Sequence, residues 1–239
     1  MDGRHELKFY INAADAALLR ARLRAVARPD NHADEGGGYH VRSLYFDDPA
    51  FTDVWDKEAG TGRRAKNRVR VYNRSDSVIR FERKFKVDSY VGKQSAPLTR
   101  DQWDAILRGD TSSLLRSDSP ALHRFYADHK LRRLRPSVIV DYEREAYTFR
   151  EGNVRLTFDR RLTAAVGDWD IFSDEGLIRY TACPPQMLTM EIKYDGFLPD
   201  SVRRLIRPYT ARRSEISKYV LCLKALHREQ LYSKGALAL

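Results

Sequence analysis

Seven segments of this chain alternate apolar and polar residues with period two: 4–11, 39–46, 67–72, 78–87, 137–147, 154–159 and 188–194. Alternation of this kind predicts strands, because successive strand side chains point to opposite faces. In five of the segments the polar positions are mostly charged. Arg4, Glu6, Lys8 and Tyr10 oppose Leu7, Phe9 and Ile11; Lys66, Arg68 and Arg70 oppose Val69 and Val71. Arg80, Glu82, Lys84 and Lys86 oppose Phe81, Phe85 and Val87. Arg155, Thr157 and Asp159 oppose Val154, Leu156 and Phe158, while Glu191 and Lys193 oppose Met190 and Ile192.

The shared charged face carries ten bases (Arg4, Lys8, Lys66, Arg68, Arg70, Arg80, Lys84, Lys86, Arg155, Lys193) and four acids (Glu6, Glu82, Asp159, Glu191). One arrangement that satisfies the pattern is an open antiparallel sheet with a solvated outer face. The other is a sheet of about eight strands closed on itself, which turns the charged face inward. Like charges crowded into a lumen repel strongly, so the closed form implies a bound polyanion. Arginine would offer forked donors to phosphate oxygens and lysine point charges. The acids would hold a hard divalent cation.

Amphipathic helical spacing over 13–26, 100–107, 120–131, 199–209 and 215–231 supplies cover for the apolar faces. Thr99 and Gln102 have the spacing of a capping box. The predicted class is α+β, with mostly antiparallel strands. Breaks around 29–38 and 182–185 do not divide the chain into self-sufficient halves, so one domain over 1–239 is expected.

Several chemistries find no support. Cys183 and Cys222 make no CxxC pair or zinc spacing and read as buried thiols in a reducing compartment. Gly36, Gly37 and Gly38 are not followed by Lys-Ser/Thr and a helix, so a flexible turn is expected there, not a phosphate-binding loop. His123 and His129 stand six apart and do not share a helix face as a metal-binding HExxH pair does. The start MDGRHELKFY has no apolar signal core, and no run approaches the roughly 18 apolar residues of a membrane span. The expected location is the cytoplasm, with any attachment to the inner membrane face made through a partner. Forty-three bases against 33 acids give a formal charge of +10, which points to an anionic partner or to a basic solvated surface. Nucleic acid is not expected, because the charged faces lack interleaved stacking aromatics.

Arg4-x-Glu6-x-Lys8, Ser43-Leu44-Tyr45-Phe46-Asp47, Lys66-x-Arg68-x-Arg70, Glu82-x-Lys84, Tyr142-x-Arg144, Glu191-x-Lys193 and Ser217-Lys218-Tyr219 follow one another along the chain. In that order they resemble the VTC domains, the polyphosphate polymerase domains of the vacuolar transporter chaperone complex and their bacterial relatives. These belong to the triphosphate tunnel metalloenzymes. The resemblance covers about residues 4–225 and implies a closed eight-stranded antiparallel tunnel. It implies phosphate binding by Lys8, Arg68, Arg70, Lys84, Arg144, Arg155, Lys193 and Lys218, and also by Lys93, which is expected in a loop. Arg4, Lys66 and Lys86 join them through their place on the charged face. Ser217 would add a hydroxyl and Tyr142 would lie near the nucleotide base. Glu191 would be the main ligand of manganese or magnesium, with Glu6 and Glu82. Adenylate cyclase and thiamine-triphosphatase relatives carry Glu-x-Glu-x-Lys in the first strand. Arg4 replaces the first Glu here, which fits the VTC branch and speaks against a two-metal hydrolase. An SPX-type sensor and a transmembrane region are not part of this sequence, so coupling of synthesis to transport is not implied.

Three activities remain open on sequence alone: ATP-dependent polyphosphate synthesis, triphosphate hydrolysis, and polyphosphate binding without turnover. Synthesis is the expectation. The site residues are all present, and phosphoryl transfer requires positioning and charge neutralisation more than a side-chain nucleophile.

Overall fold

A computed structural model describes residues 4–30 and 37–236, without the side chains of Arg4, Ala211 and 229–236. The turn expected over 29–38 therefore falls largely outside the described residues, as does the side-chain role expected of Arg4. The strands are β1 (Arg4–Asn12), β2 (Arg28–Pro29), β3 (Tyr39–Asp47), β4 (Arg63–Tyr72), β5 (Ser75–Val87), β6 (Tyr90–Leu98), β7 (Arg135–Phe149), β8 (Val154–Gly167), β9 (Leu177–Thr181) and β10 (Met187–Asp195). The α-helices are α1 (Ala13–Val26), α2 (Thr52–Glu58), α3 (Arg100–Leu107), α4 (Pro120–Arg132), α5 (Asp200–Ile206) and α6 (Lys218–Ala236). The class is α+β, as expected. No helix among the described residues is long and apolar enough to cross a membrane.

All seven alternating segments are strands, and the capping box forms: Thr99 Oγ1 accepts from Gln102 N and Gln102 Oε1 from Thr99 N. β6 was not predicted, because Gly92 and Pro97 interrupt its pattern. Both residues have reasons. The Phe85 ring lies over Gly92, where a Cβ would stand 2.3 Å from Phe85 Cζ. Proline is tolerated on a strand at the end of the ladder. Lys93 is thus on a strand, not in the loop expected for it.

The chain folds into two compact units. The first comprises Met1–His40, Tyr142–Thr163 and Thr181–Leu221; the second comprises Val41–Asp141, Ala164–Tyr180 and Cys222–Leu239. In the first, the strand order is β1-β10-β8-β7, with β2 on β7. Phe9, Ile11, Leu156, Phe158, Leu188, Met190 and Ile192 form its apolar face. Ala16, Leu19 and Leu23 of α1 and Val202 and Ile206 of α5 cover that face. In the second unit the order is β7-β3-β4-β5-β6, with the first part of β7 belonging to this unit. Leu44, Val69, Phe81 and Ala96 stand in one row and pack under Trp103 and Ile106 of α3 and Leu122 and Phe125 of α4. The Phe125 ring lies 5.1 Å from Phe46 and 4.8 Å from Phe81.

The antiparallel sheet is as expected, and hydrogen bonds do not close it into a tunnel among the described residues. The hydrogen-bonded order ends at β1 and β6, and no ladder among the described residues joins them. The outer edge of β1 is taken up locally. Phe9 bridges Arg213, Ser214 N donates to the Lys8 carbonyl, and Lys8 Nζ donates to the Ile216 carbonyl at 3.2 Å. At β6, Pro97 has no N–H to offer a further strand.

Candidate functional site

The register of the first unit builds a lattice from the polar positions of three strands. Glu6, Lys193 and Arg155 form one row; Lys8, Glu191 and Thr157 form the next; Tyr10, Thr189 and Asp159 form the third. Lys193 Nζ lies 2.5 Å from Glu191 Oε1 and 3.5 Å from Glu6 Oε1, and Lys8 Nζ lies 3.5 Å from Glu6 Oε2. Burial alone would raise the Glu191 carboxyl. Lys193, then Lys218, a hydrogen bond shared with Glu6, and Lys8 outweigh it and hold Glu191 well below the usual range. It stays ionised at any physiological pH.

The segment along the β1 edge delivers Ser217 and Lys218 to this face. Ser217 directly precedes α6 and its carbonyl accepts from Leu221 N, while Lys218 opens the helix. Lys218 Nζ lies 2.6 Å from Asp159 Oδ2. Arg144, on β7, donates to both oxygens of the same carboxylate, at 2.6 Å and 2.8 Å. Both cations lie over the Tyr142 ring, Arg144 Cζ at 5.2 Å and Lys218 Nζ at 5.1 Å from its centre. Tyr142 is only 3% exposed, and its ring supports these cations. Arg155 pairs with Asp30 and donates to Tyr39 Oη at 2.8 Å. The hydroxyls of Thr157 and Thr189 are buried on this face without a protein partner.

The polar face of the second unit is more one-sided. Across β4, β5 and β6 the register sets Arg70 opposite Arg80, Arg64 opposite Lys86, and Lys66 opposite Lys84, which faces Lys93 in turn. Like charges directly opposite destabilise a sheet, so such rows mark a face suited to an anion. Arg68 and Arg70 are half-buried and buried, whereas Arg80, Lys84 and Lys93 are exposed. Glu82 is 3% exposed and accepts from Arg68 Nε at 2.8 Å, lies 3.6 Å from Arg70 Nη1 and pairs with Lys93. Burial would raise Glu82; Arg68, Arg70 and Lys93 hold it far below the usual range. Glu82 is thus a counter-ion shared by three cations. Ser43 Oγ accepts from Arg70 Nε at 3.1 Å and Tyr45 Oη from Arg68 Nη1 at 2.7 Å.

The second unit also holds a buried ionic network. Arg132 binds Asp48 and Asp53, each at 2.8 Å, and Asp47 lies 3.8 Å away. Burial, then the neighbouring Asp47, pushes Asp53 up to about 7. Burial depresses Lys66 to about 8 against the attraction of Asp53. Arg42 is fully buried among Asp141, Asp174 and the Ser173 carbonyl. Strand parity places Arg42 with Leu44 and Phe46, and nothing in that pattern distinguishes a paired buried arginine from a break. Asp30, Tyr39 and Thr189 were likewise missed; their roles come from register and loop placement.

The ten-to-four charge ratio read from the strands overstates the repulsion. In the first unit Lys8, Lys193, Arg144, Lys218 and Arg155 are each paired with Glu6, Glu191, Asp159 or Asp30.

A family model described as "VTC domain" matches residues 3–227. Among solved structures, a putative adenylate cyclase from Bacillus halodurans superposes with a TM-score of 0.53 at 13% identity, covering 90% of this chain and 95% of that one. A putative adenylyl cyclase from Hippeastrum, described as having a dominant triphosphatase activity, gives 0.53 at 12% identity over 94% and 96%. Likeness at that identity concerns the fold. No curated protein matches.

Proposed function

The chain belongs to the VTC-domain family, and on that premise we propose that it is a metal-dependent polyphosphate polymerase that moves the γ-phosphate of ATP onto a growing polyphosphate chain. The observation that carries the reading is the lattice of the first unit. Lys193, Lys218, Lys8 and Arg144 act on a buried, ionised glutamate, with a second carboxylate beside it. The like-charged rows of the second unit support the same substrate class.

Glu191 and Glu6 fit a hard divalent cation. They stand diagonally across β1 and β10, and the Lys193 ammonium already lies within 3.5 Å of both, so positive charge is accommodated there. Two carboxylates plus phosphate oxygens are a usual donor set for magnesium, and manganese takes similar ligands. Bound there, the ion would neutralise phosphate oxygens. Lys8, Lys193, Arg144, Arg155, Lys218 and the Ser217 hydroxyl would hold and orient the phosphates. Arg68, Arg70, Lys66, Lys84, Lys86 and Lys93 would bind further ones. A terminal oxygen of the polyphosphate chain attacks the γ-phosphorus, the bond from that phosphorus to the β,γ-bridging oxygen breaks, and ADP leaves with its electron pair. The attacking oxygen is already anionic, so no base is needed.

Triphosphate hydrolysis is the second reading, favoured by the fold shared with the Hippeastrum protein. The side chains serve both readings alike, and the match to the VTC domain is what favours synthesis. Neither unit is continuous in sequence, which supports reading 1–239 as one functional domain. The test is incubation of pure protein with ATP and manganese, with products resolved by length. Long chains are expected; orthophosphate as the sole product at every metal and primer condition would replace synthesis with hydrolysis.

A further inference from the structure

Asp159 carries the same charge as the candidate metal ligands and shares their sheet face, but its contacts are of another kind. It stands at the end of the third row, beside Thr189 and beyond it Tyr10, and is 2% exposed. Both of its oxygens are used. Oδ1 accepts from Arg144 Nε; Oδ2 accepts from Arg144 Nη2 and lies 2.6 Å from Lys218 Nζ. The three residues come from β8, β7 and the first turn of α6, so one carboxylate ties three elements together.

Neither cation would hold its place unaided. Lys218 sits in the first turn of a helix, where the helix dipole repels positive charge. Its side chain is only 14% exposed and that of Arg144 11%, and burying an unpaired charge is costly. The two ammonium and guanidinium groups also crowd together over one tyrosine ring. Burial works against the charge on Asp159, but Arg144 and then Lys218 hold the carboxyl below its usual range, so all three groups are charged together.

Resting on the phosphate-binding reading of this face, we propose that Asp159 is a positioning residue for that site. It fixes Arg144 and Lys218 in one geometry, so that both meet phosphate oxygens without reorganising. Long cationic side chains lose much rotamer freedom when they are immobilised, and a counter-ion that immobilises them beforehand removes that cost from binding.

The proposal has a sign that simple charge counting does not share. Asp159→Asn makes the face more positive by one charge. If Asp159 only balances charge, the variant binds tripolyphosphate more tightly; if it positions Arg144 and Lys218, the variant binds at least tenfold more weakly. Asp159→Glu keeps the charge but displaces the carboxylate by one methylene. Positioning predicts weaker binding here too, and charge balance predicts no change. In a Lys218→Met background the loss caused by Asp159→Asn should fall below threefold, since one of the groups it orients is gone. The measurement is metal-free calorimetry with tripolyphosphate at fixed ionic strength, on variants whose circular dichroism matches the wild type. Should Asp159→Asn fail to fold, Asp159→Glu decides alone. Equal or tighter binding by the folded variants overturns the proposal. A wild type that does not bind tripolyphosphate overturns the reading of the face itself, and this role with it.

Discussion

The ammonium of Lys193 lies 2.5 Å from the carboxylate of Glu191, a contact between side chains two residues apart on one strand. Glu191 is thereby kept ionised, beside the second carboxylate of Glu6.

Glu191→Gln should abolish metal-dependent turnover of ATP while leaving metal-free binding of tripolyphosphate equal or somewhat tighter. The substitution removes the ligand proposed for the metal and one of the two carboxylates that engage Lys193. Turnover rates and calorimetry on the same preparation check both halves. Turnover close to wild type would take Glu191 out of the metal site.

Arg68→Ala and Arg70→Ala should each weaken tripolyphosphate binding by about 1.5–3 kcal/mol, the scale of a hydrogen bond to a charged group. The two share Glu82 as counter-ion, so their effects should not add. Titration of the single and double variants tests this. Affinities indistinguishable from wild type in all three would mean that the face of β4 is a solvated surface.

Asp53 gives a pH-dependent prediction for stability. Its carboxyl is raised to about 7 by burial and by Asp47, so between about pH 4 and 7 the folded state binds a proton that the unfolded state has released. Stability from this group is therefore present at low pH and lost as pH rises toward 7. Asp53→Asn resembles the protonated form and should not lose it. The stability of the variant relative to wild type should rise by about 2–4 kcal/mol between pH 4.5 and 7.5, from a shift of roughly three units at 1.36 kcal/mol each. Urea melts across that range measure it; a constant difference would show that Asp53 titrates normally.

Much of this was legible in the sequence because period two fixes faces. Once Phe9, Leu156 and Met190 are assigned to the core, Lys8, Arg155 and Glu191 must share the other side. What alternation does not encode is register and long-range pairing. That Lys8 faces Glu191, or that Lys218 meets Asp159, depends on which residues stand opposite one another and on the segment that follows the β1 edge. Which cations engage Glu82 and Asp159 is likewise set by register and by the segment that leads into α6, and composition does not show it. β6 escaped notice because Gly92 and Pro97 serve packing under Phe85 and an edge position, both invisible to a pattern of polar and apolar residues.

The central claim is that the polar faces grip a linear polyanion, and a melting series tests it most directly. Wild-type protein is melted with tripolyphosphate, orthophosphate or sodium chloride at matched ionic strength. A ligand that binds only the folded state stabilises it by about 4 kcal/mol at a thousandfold excess over its dissociation constant. One linear chain can engage several cationic rows at once, whereas exposed charges respond to salt through screening over roughly 10 Å at 0.1 M. The account predicts a large rise in melting temperature with tripolyphosphate, a smaller one with orthophosphate and little with chloride. Equal shifts from all three would contradict it.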